Sequence, residues 1–153
     1  MKRLLIVYHS QTGRTDQLVS AVTRGARSDD VQGVKVWVVR AKVATAEHLL
    51  TADGLILATP ENFGYMSGGM KDFFDRTFYA VEERIQSLPY ALVVSAGNDG
   101  TGAVRAVERI VGGYPFRPVQ EPVIVVGAPT EADRLRCEEL GLSIAAGLEL
   151  GVF

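Results

Sequence analysis

Five short runs rich in β-branched residues alternate along the 153-residue chain with segments of helical period, and this alternation calls for parallel strands joined by crossover helices. The runs are Arg3 to Tyr8, Val34 to Arg40, Gly54 to Ala58, Ala91 to Ser95 and Val119 to Gly127, each bounded by Gly, Pro or polar residues. A helix from about Thr15 to Arg27 puts Leu18, Val19, Val22 and Ala26 on one face. Another, Met70 to Ala80, turns Met70, Phe73, Phe74 and Phe78 inward, and a third carries Val104, Val107, Ile110 and Val111. Ala46 to Leu50 makes the short second crossover, and Glu131 to Leu150 forms the last helix. Right-handed crossovers leave two arrangements for five such strands: a doubly wound 2-1-3-4-5 order, or one half of a dinucleotide-binding fold.

Both arrangements place ligands beyond the carboxyl ends of the strands, where the winding reverses. Bulk properties narrow what such a ligand is. A length of 153 residues with 47% hydrophobic content fits one domain, residues 1–153, with a substantial core. A formal charge of −2 lacks the basic stripe that nucleic acid demands. Apolar runs such as Val123 to Val126 are too short to span a bilayer, and Lys2-Arg3 leads straight into a strand, so the expectation is a cytoplasmic protein without a membrane partner. The single cysteine, Cys137, shares a helical face with Leu140, Ile144 and Leu148 and reads as core; with only His9 and His48 beside it, no metal site is expected.

Three loops at the expected ligand edge have unusual compositions. After the first strand, His9-Ser10-Gln11-Thr12-Gly13-Arg14-Thr15 opens a helix. The hydroxyls of Ser10, Thr12 and Thr15, the absent Cβ of Gly13, the charge of Arg14 and the free N–H groups of the helix suit a phosphate. The competing reading is an ordinary hydroxyl-rich turn with a helix cap. Without a Gly-Lys-Ser/Thr ending, the loop does not support P-loop nucleotide chemistry. After the third strand, Thr59 to Gly69 offers Phe63 and Tyr65 as flat surfaces for a planar heterocycle, Asn62 as an amide, and Gly64 for close backbone approach. After the fourth, Ser95 to Gly102 brings backbone N–H groups for a ring's carbonyl edge, with Asn98 or Asp99 as side-chain contacts. Asp99 or Thr101 serving only to cap the next helix reads as well. The glycine spacing of that loop is not the dinucleotide fingerprint.

Ser10-x-Thr12-Gly13-x-Thr15 together with Pro60-Glu61-Asn62-Phe63-Gly64-Tyr65-Met66-Ser67-Gly68 resembles the flavodoxin-like FMN-binding proteins, nearest to NAD(P)H-dependent FMN reductases and WrbA-type quinone oxidoreductases. The resemblance runs over nearly the whole chain. It implies a flavodoxin-like doubly wound α/β fold, a five-stranded parallel sheet of order 2-1-3-4-5 with helices on both faces. It also implies FMN as cofactor, with Ser10, Thr12, Gly13, Arg14 and Thr15 on the phosphate. The isoalloxazine would lie among Pro60, Glu61, Asn62, Phe63, Gly64, Tyr65, Ala96, Gly97, Asn98 and Asp99. The implied activity passes electrons from NADH or NADPH through the flavin to a quinone or another small acceptor. The flavin would carry that chemistry, so no catalytic side chain is expected.

The alternative is a flavodoxin-type electron carrier without NAD(P)H activity of its own. Such carriers flank the ring with an aromatic after the fourth strand and are strongly acidic. This chain has Asn98-Asp99 there and a charge of −2, which favours the reductase. The segment Ala41 to Asp53 is short and leaves the substrate side open. An oligomer interface is therefore expected beside the flavin, against Phe63, Tyr65, Met66 and the following helix. Trp37, in the second strand and away from the switch point, reads as packing.

Overall fold

The computed structural model describes residues 1–114 and 116–153. Strand β1 (Lys2–Tyr8) pairs in parallel with β2 (Val34–Arg40) on one side and β3 (Gly54–Asn62) on the other. Beyond β3 lies β5 (Leu88–Ala96), also parallel. β4 (Tyr65–Met66) folds back antiparallel on the end of β3. The last column is shared by β6 (Phe116–Pro118), which pairs with Leu88 to Tyr90, and β7 (Val123–Val126), which pairs with Val93 to Ala96. The order β2-β1-β3-β5-β6 with β7 continuing the outer column is the doubly wound 2-1-3-4-5 arrangement, and winding reverses between β1 and β3.

Two expectations about the strands are corrected. The run from Val119 to Gly127 is not one strand: pairing begins at Phe116, stops after Pro118 and resumes at Val123. Proline cannot donate to a ladder, and Pro118 and Pro122 bracket the interruption. The third strand does not end at Ala58 but continues to Asn62, so most of the expected ring loop is a hairpin.

Alternating residues of β1 divide the core. Leu4 and Ile6 face α1 (Arg14–Ala26) and α5 (Glu131–Leu150), whereas Leu5 and Val7 face α2 (Ala46–Thr51), α3 (Gly68–Val81) and α4 (Thr101–Val111). Both faces of the sheet are covered, which is why its central strands read as continuous apolar runs. The first and last helices approach backbone to backbone at two glycines. A Cβ on Gly25 would fall on the carbonyl of Glu138, and one on Gly141 on the carbonyl of Val22. Cys137 is buried at this contact, and burial pushes its thiol up to about 11.

Helix ends follow local chemistry. Thr45 and Thr130 each accept the N–H three residues on, while the side chains of His48 and Asp133 return a bond to the cap backbone. Trp37 packs against the α2–α4 side of the core, edge-on to His48 at 6.2 Å, with the Arg3 and Lys35 cations over its ring. That is a packing role, as expected of it. No helix among the described residues is long and apolar enough to cross a membrane.

Candidate functional site

At the carboxyl end of β1 the chain turns into α1 through a loop closed on Ser10. Its Oγ accepts from the N–H groups of Gly13 (3.2 Å) and Asp16 (3.3 Å), and its own O–H stays available as a donor. Gly13, at φ 99°, is the N-cap and supplies no side chain, so the N–H groups of Arg14 and Thr15 have no protein acceptor among the described residues. Thr12 and Arg14 are exposed beside them, and a Cβ on Gly13 would meet nothing within 4 Å. Thr15 departs from the simple expectation, for its side chain is 2% exposed and packs inward. The result is an open arc of donors at the positive end of a 13-residue helix.

The second element is the β3–β4 hairpin. Phe63 and Gly64 form its two-residue turn, with Asn62 opposite Tyr65, and both turn residues have positive φ (52° and 69°). This is the turn whose twist suits a hairpin, and it favours Asn-Gly or Gly-Gly. Phenylalanine in the left-handed region is strained, and Phe63 is fully exposed, at 108%. Tyr65 is exposed beside it, but Met66 is 2% exposed and belongs to the core, so the expected apolar rim loses that residue. Strand alternation explains the split, since neighbouring residues of a two-residue strand point to opposite faces.

The hairpin is held at three points. At its base, Ser67 N–H donates to Thr59 Oγ1 at 3.0 Å, and Ser67 Oγ in turn accepts from Met70 N–H at 3.1 Å to cap α3. Both hydroxyl residues are buried. Neither stands among the expected site residues, although a serine three residues before the apolar helical stripe that begins at Met70 is a cap signal. On its α4 side, the Glu61 carboxylate accepts from Gly100 N–H and Ala103 N–H, each at 3.2 Å. Glu61 was expected among the ring contacts; its oxygens instead supply the anionic cap that Gly100 cannot provide. Across the cleft, Asn62 Nδ2 donates to Gln11 Oε1 at 3.3 Å, joining the hairpin to the loop after β1. Gln11 was also passed over.

The third loop meets the expectation in part. Gly97 and Asn98 are exposed, and a Cβ on Gly97 would meet nothing within 4 Å. Ala96, expected at the ring, is buried as the last residue of β5, its carbonyl taken by Gly127 N–H. Asp99 accepts from Thr101 Oγ1 and Thr101 N–H, both at 2.7 Å, and these bonds hold its carboxyl below the usual carboxylate value. That is the capping alternative, built on Asp99. Pro60 sits within β3 opposite Ser95 and sets the hairpin's start.

The structure thus brings together three loops at the reversal point: a donor arc on the β1 side, two exposed aromatics on the hairpin, and open backbone after β5. A phosphate at the arc and a planar ring at the hairpin fit this donor set and the glycine-cleared space. Among the described residues no group of three or more His, Cys, Asp or Glu side chains is placed to hold a metal.

This fold with this site defines a flavodoxin-like α/β protein. The sequence model of the NADPH-dependent FMN reductase family matches residues 39–129, and the chain belongs to that family. Over 75 residues it is 40% identical to a flavodoxin of Aquifex aeolicus, covering 49% of this chain and 40% of that protein. Over 97 residues it is 37% identical to an NAD(P)H dehydrogenase (quinone) of Acidithiobacillus ferrooxidans, covering 50% of this chain and 48% of that protein. The chain thus spans less than half the length of these two relatives. Among solved structures, a flavodoxin from the domain Archaea superposes with a TM-score of 0.80 at 22% identity, over 95% of this chain and 98% of that one. A flavodoxin, WrbA-like protein from Agrobacterium tumefaciens gives 0.80 at 17% identity, over 98% and 99%. These two share the fold.

Proposed function

We propose that residues 1–153 act as a single FMN-binding domain of an oxidoreductase that passes electrons from NADH or NADPH to a quinone or another small acceptor. The observation that carries this reading is the uncapped donor arc at Thr12 to Thr15, whose loop is joined through Gln11 and Asn62 to the hairpin that exposes Phe63 and Tyr65. FMN, when bound, supplies hydride acceptance from a nicotinamide and release of electrons to the acceptor.

The protein's share is binding and orientation. The N–H groups of Arg14 and Thr15, the hydroxyls of Ser10 and Thr12 and the Arg14 guanidinium would hold the phosphate, the last by a charge-assisted bond. Phe63 and Tyr65 would flank the ring, and Gly97 N–H with the Asn98 amide would meet its carbonyl edge. Glu61 acts through the loops it joins and is a positioning residue, as is Thr59 beneath it. The exposed Phe63 and Tyr65 also support a homo-oligomer interface beside the flavin; a strict 16.5 kDa monomer by light scattering at full turnover counts against it.

A flavodoxin-type carrier is the second reading, favoured by the likeness to the Aquifex flavodoxin. One experiment separates them. The protein saturated with FMN is mixed anaerobically with NADH or NADPH: bleaching of the flavin absorbance within seconds supports the reductase, and a stable yellow protein supports the carrier. A protein that takes up no FMN refutes both.

A further inference from the structure

His9 stands where the ends of β1 and β3 meet the start of α3. Its N–H donates to Ala58 O, fixing its backbone between the ends of β1 and β3. Its ring lies against the first turn of α3, where a Cβ on Gly69 would come within 2.9 Å of Cδ2, 3.0 Å of Cγ and 3.3 Å of Nδ1. Ser10, which closes the donor arc, follows it directly.

The two ring nitrogens have different surroundings. Nδ1 is buried and has no partner among the described residues. Nε2 is also without a partner among the described residues, but it is not among the buried orphan atoms, so it keeps contact with the outside. A neutral imidazole carries one proton, and its position is set by what each nitrogen can bond. A proton on Nδ1 would be a buried donor with no acceptor, a more costly arrangement than a buried lone pair. The proton therefore belongs on Nε2, and the ring presents a single N–H donor outward. Gly69 covers the Cδ2–Cγ–Nδ1 side of the ring, and the residue that follows His9, Ser10, closes the donor arc, so the uncovered edge adjoins the loop after β1.

We propose that His9 is a further cofactor-positioning residue, whose Nε2–H donates to an oxygen of the phosphorylated ribityl chain of FMN. This rests on the FMN reading above and adds a donor that the hydroxyl motif does not contain. It also gives Gly69 a role: without a Cβ there, the ring sits deep enough for its outer edge alone to reach the ligand.

Glutamine places its side-chain N–H₂ near the position of Nε2, whereas asparagine reaches only as far as Nδ1, so His9→Gln and His9→Asn separate the two nitrogens. His9→Gln should hold FMN within about threefold of the unmodified protein, and His9→Asn should weaken it about tenfold or more. Gly69→Ala, a helix-favouring change, should weaken FMN by displacing the ring, and should have no further effect in a His9→Asn background. ¹⁵N spectra of the His9 ring give a readout independent of activity. The unliganded protein should show Nε2 protonated and Nδ1 bare, and FMN should move the Nε2 signal. Titration with riboflavin and with inorganic phosphate then tells which oxygen is met, a ribityl hydroxyl or the phosphate. Normal FMN uptake by the unmodified protein with equal affinities for all His9 variants overturns this inference and leaves the FMN reading intact. So does an Nδ1-protonated ring, whereas absence of FMN binding in the unmodified protein overturns both.

Discussion

The carbonyl of Gly64, at the hairpin tip, occupies the space that a Cβ on Gly102 would need. This approach, and Glu61 reaching to Gly100 and Ala103, tie the β3–β4 hairpin to the start of α4. The ring side of the site is thereby set by packing between two segments that are distant in sequence.

Gly102→Ala is therefore expected to destabilise the fold by about 1–3 kcal/mol, because backbone rather than a flexible side chain must give way. It should also weaken FMN by tilting the hairpin. Gly112→Ala serves as the control, since the nearest atom to its Cβ would be 3.6 Å away. Urea unfolding of the two variants, followed by flavin-fluorescence titration, checks both effects; equal stabilities would remove the proposed coupling.

Phe63→Asn should raise stability while lowering affinity. Asparagine tolerates the left-handed conformation, and Phe63, being fully exposed, gives up no core contact. The expected gain is about 1 kcal/mol in unfolding free energy. A variant that gains stability and still binds FMN as tightly would show that the ring is not stacked on Phe63.

Thr12→Val tests the donor arc. A lost hydrogen bond to a charged phosphate is worth about 1.5–3 kcal/mol, so FMN affinity should fall strongly. Thr12 is exposed, so circular dichroism should remain native. An unchanged dissociation constant places the phosphate elsewhere.

Acid should weaken the molecule through two carboxylates. Bonds from Thr101 to Asp99, and from Thr130 to Asp133, hold both carboxyls below their ordinary value of 3.8. A depressed folded-state pKa contributes stability above the unfolded value, and that contribution disappears as pH falls through the folded one. Stability should thus decline below about pH 4, and the Asp99→Asn, Asp133→Asn double variant should decline less steeply over the same range. Thr130→Ala should cost about 1 kcal/mol at neutral pH through the α5 cap. Denaturant midpoints measured from pH 7 downward give the comparison.

The alternating strand and helix periods made the sheet legible, because each buried strand has to be apolar on both faces. Glycines, hydroxyls and aromatics at the strand ends marked where the cleft lies. The commitments of individual polar side chains were not legible. Glu61 and Asp99 look like free ligand contacts in sequence, but Glu61 is taken by the N–H groups of Gly100 and Ala103 from a distant loop, and Asp99 by the hydroxyl and N–H of Thr101 two residues on. Met66 was misplaced for a related reason: only the pairing of Glu61 with Met66 shows that the segment is a strand, and therefore which side each residue takes. His9 gave no signal at all, since the burial of one ring nitrogen exists only in three dimensions.

The close meeting of α1 with α5 also bears on how the chain reaches this structure. Its glycine contacts, together with the bond from Gln32 N–H to Glu149 across 117 positions, join segments from opposite ends of the described chain. Such distant pairings slow the conformational search, because a long loop must close before any contact rewards it. During synthesis the apolar stripe of α1 has no lasting cover until residues 131–150 emerge, and in that interval the first third of the molecule is most exposed to aggregation.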